Sequence, residues 1–167
     1  MIGGLSMGGY LSMSFGLMRP DLVKALIICD TGHGNRKPES RAAWNESALE
    51  RAATLEREGF SALSMSAEVQ SVLAEHRSVE GLARAARGLV YQPHSGVLGR
   101  LGAIEVPTLV IIGENDGPFL AGISYITAHI TGARRVDIPD AGHASNLDNP
   151  KAFNSAIVEF LSEVAPA

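Results

Sequence analysis

A serine set among small residues, Gly4-Leu5-Ser6-Met7-Gly8 with Gly9 directly after, opens the chain. The G-x-S-x-G spacing is that of a nucleophilic hydroxyl held on a sharp strand-to-helix turn. Glycine on either side has a physical task there, because a strained serine backbone needs neighbours without side chains for strand and helix to approach. Two other residue types that such a hydroxyl needs occur further on. Asp116 ends Gly113-Glu114-Asn115-Asp116, just past the apolar run Thr108-Leu109-Val110-Ile111-Ile112. His143 stands in Ala141-Gly142-His143, after the weaker run from Arg134 to Ile138. Both positions fall at the carboxyl ends of expected strands, where open α/β sheets gather their sites.

The elements that must position these groups are legible as pattern. Met7 to Met18, rich in small and apolar residues and stopped by Pro20, predicts a helix buried on most sides. Leu22 to Asp30 holds a continuous apolar run of strand length and Thr108 to Ile112 is a second, both suited to parallel strands covered on both faces. Arg134 to Ile138 predicts a third strand, and Pro150 to Val164 a final helix with Phe153, Ile157, Phe160 and Leu161 on one face. Strands alternating with helices imply a mostly parallel α/β sheet flanked by helices.

Between Gly32 and Gly102 the texture changes. Trp44, Ala48, Ala52 and Leu55 mark one face of a helix whose other face carries Glu46, Glu50 and Arg57. Val69, Val72 and Leu73 suggest a second helix. Leu82, Ala86, Leu89 and Val90 suggest a third, capped by Ser78. The expected organisation is therefore a first core part over 1–32, a small helical cap insertion over 33–102, and a second core part over 103–167.

With these motifs in hand, Gly-Leu-Ser-Met-Gly-Gly, Val106 to Asp116 and Asp140-Ala141-Gly142-His143, the chain resembles α/β-hydrolases of the esterase and enol-lactonase type. The order Ser6, Asp116, His143 is the order that fold uses. The resemblance implies a partial α/β-hydrolase fold, in which Ser6 attacks an acyl carbon and His143 takes and returns the proton. It implies that Asp116 holds the imidazole and that the backbone N–H of Met7 donates to the oxyanion. Asp30, which also ends a strand, is the alternative acid. Relatives place four strands and a second oxyanion donor ahead of the elbow, so the resemblance also implies a truncated hydrolase with an open sheet edge suited to self-association.

Competing readings are carried alongside. The leading one is hydrolysis of a carboxylic ester or lactone through an acyl-serine. Carbon–carbon hydrolysis and cofactor-free perhydrolysis use the same triad in relatives, whereas the dehalogenases place aspartate at the Ser6 position. The remaining alternative is an inactive member that binds a ligand or partner. A histidine base would make the rate rise at about pH 6 to 7.

Other residues have plainer readings. Asp137 and Asp140 read as turn residues, Met7 and Met13 as packing, and His33, His76, His94 and His129 as surface or insertion residues. Cys29, the one cysteine, lies in an apolar run and reads as a buried thiol, which fits a reducing compartment and a cytoplasmic location. The apolar stretch before Arg19 lacks the basic start and cleavage site of a signal peptide. A net charge of −4, with 46% hydrophobic and 19% charged residues, suits a soluble globular protein. It gives no reason to expect nucleic acid or membrane as partner. The expected partner is a small-molecule substrate. No motif suggests a cofactor or a metal site.

Overall fold

The structure is a computed structural model and describes residues 1–164. Its centre is a four-stranded sheet in the order β1-β2-β3-β4, every pairing parallel. The strands are β1 (Ile2–Leu5), β2 (Leu26–Cys29), β3 (Thr108–Gly113) and β4 (Arg134–Ile138). Helix α1 (Met7–Met18) follows β1. An insertion after β2 holds α2 (Pro38–Glu58), α3 (Ala67–Val72) and α4 (Val79–Ala85). Helix α5 (Gly117–His129) joins β3 to β4, and α6 (Ser145–Asp148) and α7 (Pro150–Val164) close the chain.

The alternation of side chains explains why the central strands are apolar throughout. Leu26 and Ile28 of β2 and Val110 and Ile112 of β3 share one core with Met13 of α1 and Ile123 and Ile126 of α5. Cys29 of β2 and Leu109 and Ile111 of β3 share the other with Ile138 of β4 and Ala156 and Phe160 of α7. Successive strand residues point to opposite faces, and here both faces are covered. Each fully buried branched side chain contributes about 1.5–3 kcal/mol. This layered sheet with flanking helices is the α/β class expected.

The chain divides into two compact units. One comprises Met1–Gly34 with the segment from Gly96 onward, and the other Asn35–Ser95. The second has its own small core of Ala52, Leu55, Ala83 and Ala86. Asn45 ties its ends, donating from Nδ2 to the Gln92 carbonyl at 2.9 Å and accepting from the Gln92 N–H at 2.7 Å. Ser78 caps α4 by accepting from the Gly81 N–H at 3.0 Å, as its sequence position predicts.

Several local expectations need correction. The strand expected over Leu22 to Asp30 is shorter, because Pro20–Leu22 forms a helical turn and Asp30 leaves the sheet with φ of 44°. Trp44 is 39% exposed, its indole N–H donating to the Val90 carbonyl at 2.7 Å. Leu89 is exposed as well, since the chain widens into a looser helical turn over Ala86–Val90. Asp137 lies within β4 and accepts from Arg135 Nε at 2.7 Å, so it is not a turn residue. Met13 is core, whereas Met7 is exposed.

Candidate active site

Ser6 occupies the joint between β1 and α1, with φ of 54° and ψ of −117°. A serine in that conformation is strained by about 1–3 kcal/mol, and surrounding structure must hold it there. The Ser6 N–H donates to the Cys29 carbonyl at 2.9 Å, and the Tyr10 N–H donates to the Ser6 carbonyl at 3.2 Å. Close approach of the two elements depends on Gly4, where a Cβ would lie 2.5 Å from the Gly8 carbonyl carbon. The same construction at Gly8 meets nothing within 4 Å, so the tight contact falls on the first glycine of the motif.

Asp116 follows β3 by three residues and stands at the head of α5, with Pro118 in the first turn. It is 3% exposed. His143 follows β4 in a loop that packs backbone to backbone against the end of β3. A Cβ on Gly113 would lie 2.2 Å from the Gly142 carbonyl oxygen and 2.4 Å from that of Ala141. The Asn115 N–H donates to the Ala141 carbonyl at 2.8 Å, and the Gly142 N–H donates to Asp148 Oδ2 at 2.8 Å. Glycine at 113 therefore brings the two loops together.

These loops join the three side chains. Ser6 Oγ lies 2.9 Å from His143 Nε2, and His143 Nδ1 lies 2.9 Å from Asp116 Oδ2. An ionised carboxylate can only accept, so Nδ1 carries the proton and donates to Asp116, leaving Nε2 to accept from the Ser6 hydroxyl. Such a relay can draw a proton from oxygen as the oxygen attacks an electrophile, with the buried carboxylate facing the resulting imidazolium. The N–H of Met7 is among the first four of α1, which have no partner within their helix. It sits at the positive end of the helix dipole.

Asp30 follows β2 and does not share the His143 hydrogen bond. It is fully buried, accepting from the Gly113 N–H at Oδ1 (2.8 Å) and from Ser145 Oγ at Oδ2. Burial pushes its carboxyl up to about 6, against the pull of those two hydrogen bonds. Cys29 beside it is pushed up to about 12, chiefly by burial and then by the Asp30 charge, so it is a packed and inert thiol.

Two contributors carry no sequence motif. Phe119 of α5 stacks on the His143 imidazole, with ring centres 4.7 Å apart and planes 22° apart. Ser145, two residues past His143, is fully buried against Asp30. An aromatic in the first turn after Asp116 is the one hint the chain offers for the former. His33 belongs to the sheet unit, stacked on Tyr125 with ring centres 4.4 Å apart. Burial lowers its imidazole from the ordinary value, and the neighbouring His129 lowers it further. Tyr125 stacks on His129 in turn. Among the described residues, no group of three or more His, Cys, Asp and Glu side chains is arranged to hold a metal ion. No helix among them is long and apolar enough to cross a membrane.

The fold and this constellation define a family, and the chain belongs to it: residues 2–156 match the model of the alpha/beta hydrolase family. One relative, 29% identical over 178 residues, is the 2-hydroxy-6-oxononadienedioate/2-hydroxy-6-oxononatrienedioate hydrolase of Cupriavidus pinatubonensis. That match covers 95% of this chain and 60% of the relative. Among solved structures, a thermophilic esterase from Thermogutta terrifontis is 30% identical with a TM-score of 0.79, over 98% of this chain and 65% of that one. The enol-lactonase from Burkholderia xenovorans LB400 is 26% identical with a TM-score of 0.75, over 96% of this chain and 64% of that one. The chain thus spans less than two thirds of the length of each of these proteins.

Proposed function

We propose that the chain acts as a serine hydrolase on a small carboxylic ester or lactone. Ser6 Oγ attacks the acyl carbon while its proton passes to His143 Nε2, and Asp116 steadies the imidazolium formed. The carbonyl oxygen becomes an oxyanion facing the N–H of Met7. Its collapse expels the alcohol, which takes the proton from His143 and leaves an acyl-serine. Water then attacks that ester with His143 as base, and Ser6 recovers its proton as the acid departs.

The observation that carries the reading is the pair of 2.9 Å contacts linking Ser6, His143 and Asp116 at the carboxyl ends of three parallel strands. The strained Ser6 backbone adds support, because strain concentrates where a reactive group must be presented. Esterase and enol-lactonase likenesses favour oxygen esters as the substrate class. The single buried Cys29 suits work in a reducing compartment such as the cytoplasm.

The name of the Cupriavidus relative favours carbon–carbon hydrolysis as the second reading, with the same three residues in the same roles. Turnover of a p-nitrophenyl ester by the purified chain, compared with Ser6→Ala, tests the first. A loss on the order of 10³-fold or more in kcat, with folding intact, is the expected result. Stoichiometric binding without turnover would contradict it and favour a ligand-binding role.

A further inference from the structure

Asp30 lies outside the Ser6–His143–Asp116 relay, yet it touches both loops that carry the relay's last two members. Its Oδ1 accepts from the N–H of Gly113, three residues before Asp116. Its Oδ2 accepts from Ser145 Oγ, two residues after His143. The carboxyl is fully buried, so neither contact is exchanged with water. Its backbone is held at φ of 44°, a left-handed conformation that the sheet would not require of a plain strand end.

We propose that Asp30 is a positioning residue, whose two carboxylate oxygens fix the separation between the Asp116 loop and the His143 loop. The inference rests on the proposed serine hydrolase reading and adds a part to it. Gly113 lets the two loops touch, and the bond from the Asn115 N–H to the Ala141 carbonyl ties them along the backbone. A carboxylate bonded to both also limits how far they part. The cost is a buried acid among other ionisable groups, namely Cys29, Asp116 and His143. Its carboxyl is held at about 6 by burial, and a position needed for packing alone would be better filled by an apolar side chain.

Three substitutions separate positioning from scaffolding. Asp30→Asn keeps the shape, with one oxygen to accept from Gly113 and an amide to donate to Ser145. Ser145→Ala removes one link, and Asp30→Ala removes both. Measured on a p-nitrophenyl ester, the brace predicts kcat for Asp30→Asn within about threefold of the parent. It predicts losses of roughly tenfold for Ser145→Ala and 10²-fold for Asp30→Ala, with KM changed less than about threefold. Ser145→Ala serves if Asp30→Ala does not fold.

Equal loss in Asp30→Asn and Asp30→Ala would overturn the proposal, as would kcat within threefold in both alanine variants. Crystal structures supply a readout free of turnover. The His143 Nδ1 to Asp116 Oδ2 separation should stay near 2.9 Å in Asp30→Asn and pass beyond hydrogen-bond range in the alanine variants. An inactive parent would contradict the hydrolase reading, while an unmoved pair in the alanine variants would overturn the brace.

Discussion

The sheet unit and the helical insertion are built from different materials. In the sheet unit, Leu109, Val110, Ile111 and Ile112 are each wholly buried, and three non-glycine residues, Ser6, Asp30 and Asp140, hold positive φ. Among the described residues of the insertion, Ala48, Ala52, Leu55, Ala83 and Ala86 are buried, and no non-glycine residue has positive φ. A dense core of branched side chains can sustain strain at the ends of its strands, and that is where Ser6 and Asp30 sit. The small alanine seam of the insertion holds helices, one of which widens over Ala86–Val90. Presenting a side chain on a strained backbone needs the first kind of support.

The contrast is broken or sharpened by substitution. Gly113→Ala should have the largest structural effect, because its Cβ would meet backbone oxygens at 2.2 and 2.4 Å. A loss of about 3 kcal/mol or more is expected by urea denaturation, and failure to fold would agree. Gly88→Ala in the insertion meets nothing within 4 Å and should be neutral or stabilising by about 1 kcal/mol. Equal penalties at the two glycines would erase the distinction between the units.

Next in size come truncations of buried side chains. Ile111→Ala should cost about 3–5 kcal/mol and Leu55→Ala about 2–3 kcal/mol, the latter read by faster amide exchange in α2 and α4. The reverse order would show that the insertion is the better packed unit.

The Asp30 carboxyl links stability to pH. Its folded-state value of about 6 lies above the ordinary carboxyl range, so the protonated form favours the fold. That contribution is fully present below about pH 4 and is lost as pH rises through 6. Relative to Asp30→Asn, the parent should therefore lose roughly 2–3 kcal/mol between pH 4 and pH 7, seen as a falling urea midpoint. A constant difference across that range would mean that burial does not penalise the charge. Smallest is Ser78→Ala, where loss of the bond to the Gly81 N–H should cost about 1 kcal/mol, confined to exchange at the start of α4.

What the chain discloses follows the same division. Strand β4 and helices α1 and α7 are legible to the residue, because proline, glycine and apolar runs punctuate them. The contacts joining Ser6, Asp116 and His143 are those the family resemblance implies, although the residues alone leave Asp30 open as the acid. Helix α5 is not legible, since Gly117, Gly122 and three β-branched residues, Ile123, Ile126 and Thr127, give it little helical propensity, and packing of its apolar face around Ile123 and Ile126 holds it. Asp30 is legible as an acid at a strand end but not as a link between loops. Its partners are a backbone N–H, which every non-proline residue owns, and a serine without a motif. Trp44 misleads for a related reason: an indole reads as core, yet its N–H needs an acceptor and finds one at Val90 near the surface.

The account stands on Ser6 as a nucleophile driven by its two partners. The direct test is to treat the purified chain with an aryl fluorophosphonate and map the adduct by peptide mass spectrometry. The account predicts one adduct, on the peptide carrying Ser6, formed far more slowly in His143→Ala. No adduct, labelling at another residue, or equal labelling rates in the two proteins would contradict it.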